Sequence, residues 1–400
     1  MGQLSLKEMF STYKEGNGIF KNKDILTSRY IPQTIAHRED QINQIAKTLA
    51  PSLRGEKVSN LFVFGTVGTG KTVSTNTVVK ELEKTSKKIK ILYMNCKMKN
   101  VSDTEYRLLA ELSRMMGEDI PYTGLPTDRV YQIFFEKIDS LGNSVILVLD
   151  EIDALVKKIG DGLLYNLTRI NENLKKSKLS IVGISNDISF TETIDPRVKS
   201  SLSEEEIVFP PYNATQLKDI LTQRAGMAFS DGIIEPGVIQ KCAALAAQEH
   251  GDARRALDLL RMAGEIVERA GEKNIKTEHI DKAEEKLDFD RLIEVVRSQP
   301  KQSLAVLSSV IRLTEDGHKN IQTGDVFYVY EKICSSRGLK LLTQRRVSDL
   351  IAELDMMGVI NTRVISKGRY GRTREIRMLL GENLLSKVKK ILTENDLLPN

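Results

Sequence analysis

Five short apolar runs punctuate the first 210 residues of this 400-residue chain: LFVFG at 61–65, KIKILYMNC at 88–96, VILVLD at 145–150, LSIVGISND at 179–187 and EEIVFPP at 205–211. Between them, apolar positions recur every three or four residues. Strands buried on both faces read as continuous apolar runs and helices as a stripe of period 3.6, so the alternation predicts an α/β fold with a parallel sheet. From Pro210-Pro211 to about residue 290 no strand-like run occurs. Amphipathic patterns over residues 214–224, 235–250 and 253–270 predict a separate helical domain, the last with Ala253, Ala256, Leu257 and Leu260 facing inward.

The final segment changes character again. Helical stripes cover 302–313, 323–335 and 343–357, followed by two β-rich runs after Gly358. Three short helices and a hairpin predict a winged helix-turn-helix, its third helix capped by Thr343 and packed through Val347, Leu350, Ile351, Leu354 and Met357. These shifts divide the chain at 1–209, 210–290 and 291–400.

Hydrophobic content of 40% and charged content of 28% are those of a globular protein. No apolar run is long enough to span a bilayer, and MGQLSLKEMF lacks a signal-peptide core, so the expected location is cytoplasmic, on the nucleoid. Cys96, Cys242 and Cys334 are too scattered for a disulfide framework or a CxxC metal site. The net charge of +5 is uneven. Residues 291–400 carry 19 Lys and Arg against 12 Asp and Glu, a net +7, which leaves −2 for the rest. A basic terminal domain suits a polyanionic partner, although solvated lysine-rich faces are common.

The octapeptide GTVGTGKT at 65–72 directly follows the first strand run and fits GxxxxGK[ST]. Backbone amides of Gly65, Thr66, Val67, Gly68, Thr69 and Gly70 would cradle phosphates, Lys71 would meet the β/γ-phosphates, and the Thr72 hydroxyl would face Mg²⁺. The expected ligand is therefore a nucleoside triphosphate with Mg²⁺. Downstream, Asp150 and Glu151 close a buried strand run. In a Walker-type ATPase the first holds the Mg²⁺ shell through water and the second polarises the attacking water; otherwise both simply cap the next helix. Asn186 ends another strand where an amide would hold that water in line. Arg254 in GDARRALDLLR would reach from the lid to a phosphate, and Arg197 in IDPRVKSSL would act on a neighbouring subunit's nucleotide. Each arginine could equally be a surface ion-pair partner.

Taken in order, Walker A GTVGTGKT, Walker B LVLDEID, the sensor-1 asparagine of GISND, the arginine-finger-like DPRVKSS and the sensor-2 GDARRALD resemble the AAA+ ATPases. Within that class the chain resembles archaeal initiators of the origin-recognition type over about residues 29–380. The resemblance implies ATP or ADP as the nucleotide and, in the lead-in RYIPQTIAHREDQINQIAKTLAP, a base pocket lined by Ile31, Pro32, His37 and Arg38. Tyr212 and Arg224 are further candidate nucleotide contacts. Val67 departs from the Thr of many relatives, with little consequence where backbone amides do the cradling. An initiator-specific insertion is expected around residues 125–138.

On the third predicted helix Gln344, Arg345, Arg346 and Ser348 avoid the apolar face, and the hairpin tip carries Lys367, Arg369, Tyr370 and Arg372. From Arg363 to Arg377 there are six basic residues and one acid, a density suited to a wing along a DNA groove. The resemblance implies an ATP-dependent initiator that binds origin DNA through winged helix and AAA+ base and recruits or loads the replicative MCM helicase, with slow hydrolysis as a switch and other initiator copies as partners. Two rivals share parts of the pattern. A clamp-loader-like ATPase should lack the basic winged helix, and an AAA+ transcriptional regulator would occupy promoters rather than origins.

Overall fold

The computed structural model describes residues 18–98, 102–318, 320–366 and 372–398. It divides into two compact units, Met1–Ile280 and Asp281–Asn400.

In the first unit five strands alternate with helices. The strands are β1 (Leu61–Phe64), β2 (Ile89–Asn95), β3 (Ser144–Asp150), β4 (Lys178–Ser185) and β5 (Glu205–Val208). All pair in parallel in the order β2-β3-β4-β1-β5. Every residue of β3 is buried, as expected when helices cover both faces of a parallel sheet. On one face, α1 (Glu39–Leu49) and α2 (Lys71–Thr85) pack Ile45, Leu49, Val78, Val79 and Leu82 against Leu61, Val63, Ile146, Val148 and Ile184. On the other, α3 (Glu105–Met115), α4 (Thr127–Ser140), α5 (Ile152–Ile159), α6 (Gly162–Arg169), α7 (Phe190–Thr193) and α8 (Pro196–Leu202) surround Phe62, Leu92, Leu147, Leu149 and Ile181. The stretch expected to hold an insertion, residues 125–138, lies largely in α4, whose Val130, Phe134 and Ile138 belong to this second core.

The lid contains α9 (Ala214–Ala228), α10 (Val238–Gln248) and α11 (Ala253–Ala270). Asn213 and Gln216 form a capping box that starts α9, satisfying amides that a helix start leaves unpaired. An N-terminal strap docks here: Phe20 lies 4.8 Å from Phe229 between ring centroids, and Glu265, 6% exposed, receives Lys23 at 2.8 Å, Arg261 at 2.8 Å and Arg269 at 3.2 Å. A buried carboxylate requires such compensation.

α12 (Thr277–Arg297) contains the division between the units. The second unit then holds α13 (Lys301–Glu315), β6 (Ile321–Gln322), α14 (Thr323–Arg337), α15 (Gln344–Met356), β7 (Ile360–Ser366), β8 (Arg372–Met378) and α16 (Glu382–Glu394). Its sheet is antiparallel in the order β6-β8-β7. Thr343 caps α15 by accepting the Arg346 amide, and Val347, Leu350, Ile351 and Leu354 enter a core with α13, α14 and α16. Met357 is only partly covered, at 37% exposed. No helix among the described residues is long and apolar enough to cross a membrane.

Candidate nucleotide site and nucleic-acid interface

Between Phe64 and Lys71 the chain loops from β1 into α2, and its glycines are required by contact. A Cβ on Gly65 would lie 2.3 Å from the Phe209 carbonyl oxygen, and one on Gly68, where φ is +74°, 1.6 Å from Asp252 Oδ1. Lys71 folds back over the loop, its Nζ donating to the carbonyls of Gly65 at 2.8 Å and Thr66 at 2.6 Å. Burial lowers its pKa to about 8, with the Arg254 cation adding to the effect and Asp150, Asp153 and Asp252 opposing it. A desolvated cation beside a glycine loop at a helix N-terminus fits a polyphosphate.

At the end of β3 the Asp150 carboxylate is 3% exposed. Its Oδ2 accepts the Thr72 hydroxyl at 3.1 Å and the Tyr93 phenol at 2.5 Å, while Oδ1 accepts the Glu151 amide at 3.0 Å. Burial and the adjoining carboxylate push the Tyr93 phenol well above its usual range. Thr72 and Asp150 are hard oxygen donors side by side on the cavity wall, a set that suits Mg²⁺ shared with phosphates and water. Among the described residues no cluster of three or more His, Cys, Asp or Glu could hold a metal by itself.

Glu151 heads α5 at φ +56°, and its carboxylate makes no capping hydrogen bond. Capping therefore does not explain it. Left-handed backbone at a non-glycine residue is strained, and such strain gathers at functional positions. The carboxyl lines the cavity and pairs with Lys97 at 3.4 Å. Asn186 stands nearby, its backbone amide donating to Asp153 Oδ1 at 3.4 Å.

The lid closes the site. Asp252 caps α11 by accepting the amides of Arg254 at 2.7 Å and Arg255 at 3.4 Å, while the Ala253 amide donates to Gly68 O at 3.3 Å. Exposed Arg254 is thereby carried to the cavity rim. The cavity has a volume of about 480 Å³ and is lined by Gly68, Thr69, Gly70, Lys71 and Thr72, by Asn95, Asp150, Glu151 and Asn186 at the carboxyl ends of their strands, by Arg224 and Arg254 of the lid, and by residues 27–32 of the strap. A crevice outside the carboxyl ends of parallel strands is the usual ligand position in such sheets.

Several sequence-derived candidates sit elsewhere. Ile31 and Pro32 line the cavity, but His37 and Arg38 do not. His37 adopts φ +62° and pairs with Asp219 at 3.0 Å. That turn sends Arg38 beneath the phosphate loop, 2% exposed, where it donates to Thr69 O at 2.8 Å and Pro210 O at 2.6 Å and stacks 3.8 Å from the Tyr212 ring. Arg38 is thus a strut between the phosphate loop and Pro210 rather than a cavity-lining residue. Tyr212 and Arg224 reach the cavity, Arg224 also donating to Ile25 O at 3.2 Å and lying 4.4 Å from the Tyr30 ring. Gly65, Thr66 and Val67 lie outside the cavity wall, the first two occupied through their carbonyls by Lys71. Within this chain Arg197 is held by Asp195 at 2.9 Å and lies 5.0 Å from the Tyr165 ring, so a role on a neighbour would require that pair to open. Sequence reading missed Tyr93, Asn95 and Asp252. Tyr93 and Asn95 look like ordinary members of an apolar strand run, and only the pairing of β2 with β3 brings them beside Asp150.

In the second unit a groove of about 460 Å³ is lined by Gln344, Arg345 and Ser348 of α15 together with Thr323, Val364, Thr373 and Arg374. Arg345 is exposed. Arg346 is instead engaged by Glu353 at 3.3 Å and Asp349 at 3.9 Å, both on α15. Lys367, Arg369 and Tyr370 lie outside the described residues, and Arg372 is described only as the first backbone position of β8.

A parallel-sheet phosphate-loop base, a helical lid and a winged helix define an AAA+ protein with a winged-helix unit. The family models agree: an AAA domain matches residues 55–188, a Cdc6 AAA+ ATPase-type lid domain 218–285, and a CDC6 C-terminal winged helix domain 294–388. The ORC1-type DNA replication protein 1 of Methanosarcina mazei is 51% identical over 98% of this chain and 94% of its own length. The ORC1-type DNA replication protein of Pyrococcus furiosus is 52% identical over 94% and 91%. Among solved structures, the Aeropyrum pernix ORC1 protein in complex with DNA superposes with a TM-score of 0.83 at 43% identity, over 95% of this chain and 98% of that one. The chain belongs to the family of archaeal ORC1-type DNA replication proteins, built on Cdc6-type AAA+ ATPase domains. Membership of that ATPase class carries nucleotide binding with it.

Proposed function

We propose that this chain is an ATP-controlled replication initiator that binds duplex origin DNA through its winged helix and AAA+ base, recruits or loads the replicative MCM helicase, and hydrolyses ATP slowly as a switch. The observation that carries the reading is a lid docked on the phosphate loop through Asp252 and Ala253 in a chain that also presents the Arg345 groove. The likeness to an ORC1 protein in complex with DNA at 43% identity supports DNA as a ligand of this chain.

In this reading Lys71 holds the β/γ-phosphates, Glu151 accepts a proton from the attacking water, Asn186 aligns that water, and Arg254 senses the γ-phosphate from the lid. Mg²⁺ bound there would be held by Thr72 and Asp150 and would supply charge neutralisation. Because Gly68 touches the head of α11, the state of the phosphate loop is felt directly by the lid. An arginine finger contributes ~10³ to 10⁵ in rate, and with the candidate finger Arg197 held by Asp195 at 2.9 Å in this chain, slow turnover is expected. The test is duplex binding followed by fluorescence anisotropy with ATP, with ADP and without nucleotide. The reading expects the affinity for origin duplex to change with nucleotide state; equal affinities in all three conditions would count against ATP control.

A further inference from the structure

The Asp150 carboxylate has a protein partner that phosphate-loop chemistry does not account for. Tyr93 donates to Asp150 Oδ2 at 2.5 Å, closer than the 3.1 Å of the Thr72 hydroxyl on the same oxygen. Parallel register sets Asn95 beside Asp150 and Tyr93 beside Val148. Alternate residues share a sheet face, so Tyr93 lies one pleat back from Asp150 on its side of the sheet, and the ring carries the hydroxyl forward to the carboxylate. On α2, Asn76 stands near the Tyr93 phenol. It sits four residues after Thr72, hence on the same helix face. Tyr93 and Asn76 both line the nucleotide cavity. With one oxygen held by Tyr93 and the other by the Glu151 amide at 3.0 Å, the carboxylate cannot turn without breaking a bond.

We propose that Tyr93, with Asn76 beside it, is a positioning residue that holds the Asp150 carboxylate in the orientation in which it receives the divalent cation accompanying the triphosphate. This rests on the reading of Thr72 and Asp150 as the cation side of the site. Partners of metal-binding carboxylates act by fixing orientation and basicity rather than by touching the ligand. The ring packs beside the core formed with α1 and α2, so Tyr93→Phe keeps the packing and removes only the hydroxyl.

The experiment uses the full chain and a fluorescent ATP analogue, titrated in EDTA and then across Mg²⁺ concentrations, for wild type, Tyr93→Phe, Asn76→Ala and Asp150→Ala. Tyr93→Phe is expected to leave cation-free affinity within about twofold of wild type and to raise the Mg²⁺ concentration for half-maximal enhancement by about 10-fold, with a smaller rise for Asn76→Ala. Asp150→Ala should lose the Mg²⁺-dependent enhancement. A Tyr93→Phe titration that overlays wild type overturns the proposal. So does an equal loss of affinity with and without Mg²⁺, which marks a merely structural tyrosine. Full Mg²⁺ enhancement in Asp150→Ala overturns the parent assignment of Asp150, and the role of Tyr93 falls with it.

Discussion

Gly68 of the phosphate loop and Asp252 at the head of α11 are packed so closely that a single methyl group on Gly68 would lie 1.6 Å from Asp252 Oδ1. The Ala253 amide adds a hydrogen bond of 3.3 Å to Gly68 O. Gly68→Ala must therefore displace the lid, and it also places a side chain on backbone of φ +74°, a strain of about 1–3 kcal/mol. ADP affinity measured by calorimetry should fall about tenfold or more. Removing the obstructing carboxylate as well, in Gly68→Ala with Asp252→Ala, should recover part of that loss even though Asp252→Ala alone costs about 1 kcal/mol as a lost helix cap. Wild-type affinity in Gly68→Ala would show that lid contact is not needed for binding.

The depressed pKa of Lys71, about 8, predicts a pH dependence. Between pH 8 and the ordinary lysine value the folded chain binds fewer protons at Lys71 than the unfolded chain, so this residue's contribution to stability rises with pH there. Nucleotide affinity runs the other way. Phosphate requires the cation, binding must take up a proton above pH 8, and affinity should decline toward a limiting slope of about tenfold per pH unit. Lys71→Arg should flatten the decline. A level wild-type profile between pH 8 and 10 would contradict the buried, deprotonation-prone lysine.

Glu151 occupies left-handed backbone and its carboxylate does not cap α5, which separates that carboxyl from helix stability. Glu151→Gln should retain ATP affinity while single-turnover hydrolysis drops by about 10² or more. Unchanged turnover would remove Glu151 as the base.

Arg345 and Arg346 are neighbours on α15 with different expected consequences. Arg345 faces the groove, whereas Arg346 is neutralised by Glu353 and Asp349. In anisotropy titrations across a salt series, Arg345→Ala should weaken duplex binding and reduce the salt slope by about one, as should Arg369→Ala if the wing lies along the backbone. Arg346→Ala should change the slope less. Equal slopes for all variants would place DNA elsewhere.

The strands of the base, α11 and the winged helix were legible because their apolar periodicity is long and their ends are marked, as by Thr343 at α15. Gly65, Lys71, Thr72, Asp150 and Glu151 announced themselves by spacing. Arg38 did not follow its neighbours Ile31 and Pro32 because one left-handed residue, His37, redirects the chain, and backbone of that sign carries no apolar pattern. Tyr93 was hidden because its partner is chosen by strand register across residues far apart in sequence. β6 has two residues, too few for any period, and the division between the units falls inside α12 rather than at a change of pattern.

The central claim is initiation, and genome-wide occupancy of this chain, mapped together with single-stranded DNA in the same cells, tests it most directly. Occupancy concentrated at replication start sites, with strand opening there that is lost in Lys71→Ala, is the result the account predicts. Enrichment confined to promoters, with start sites unoccupied, would contradict it.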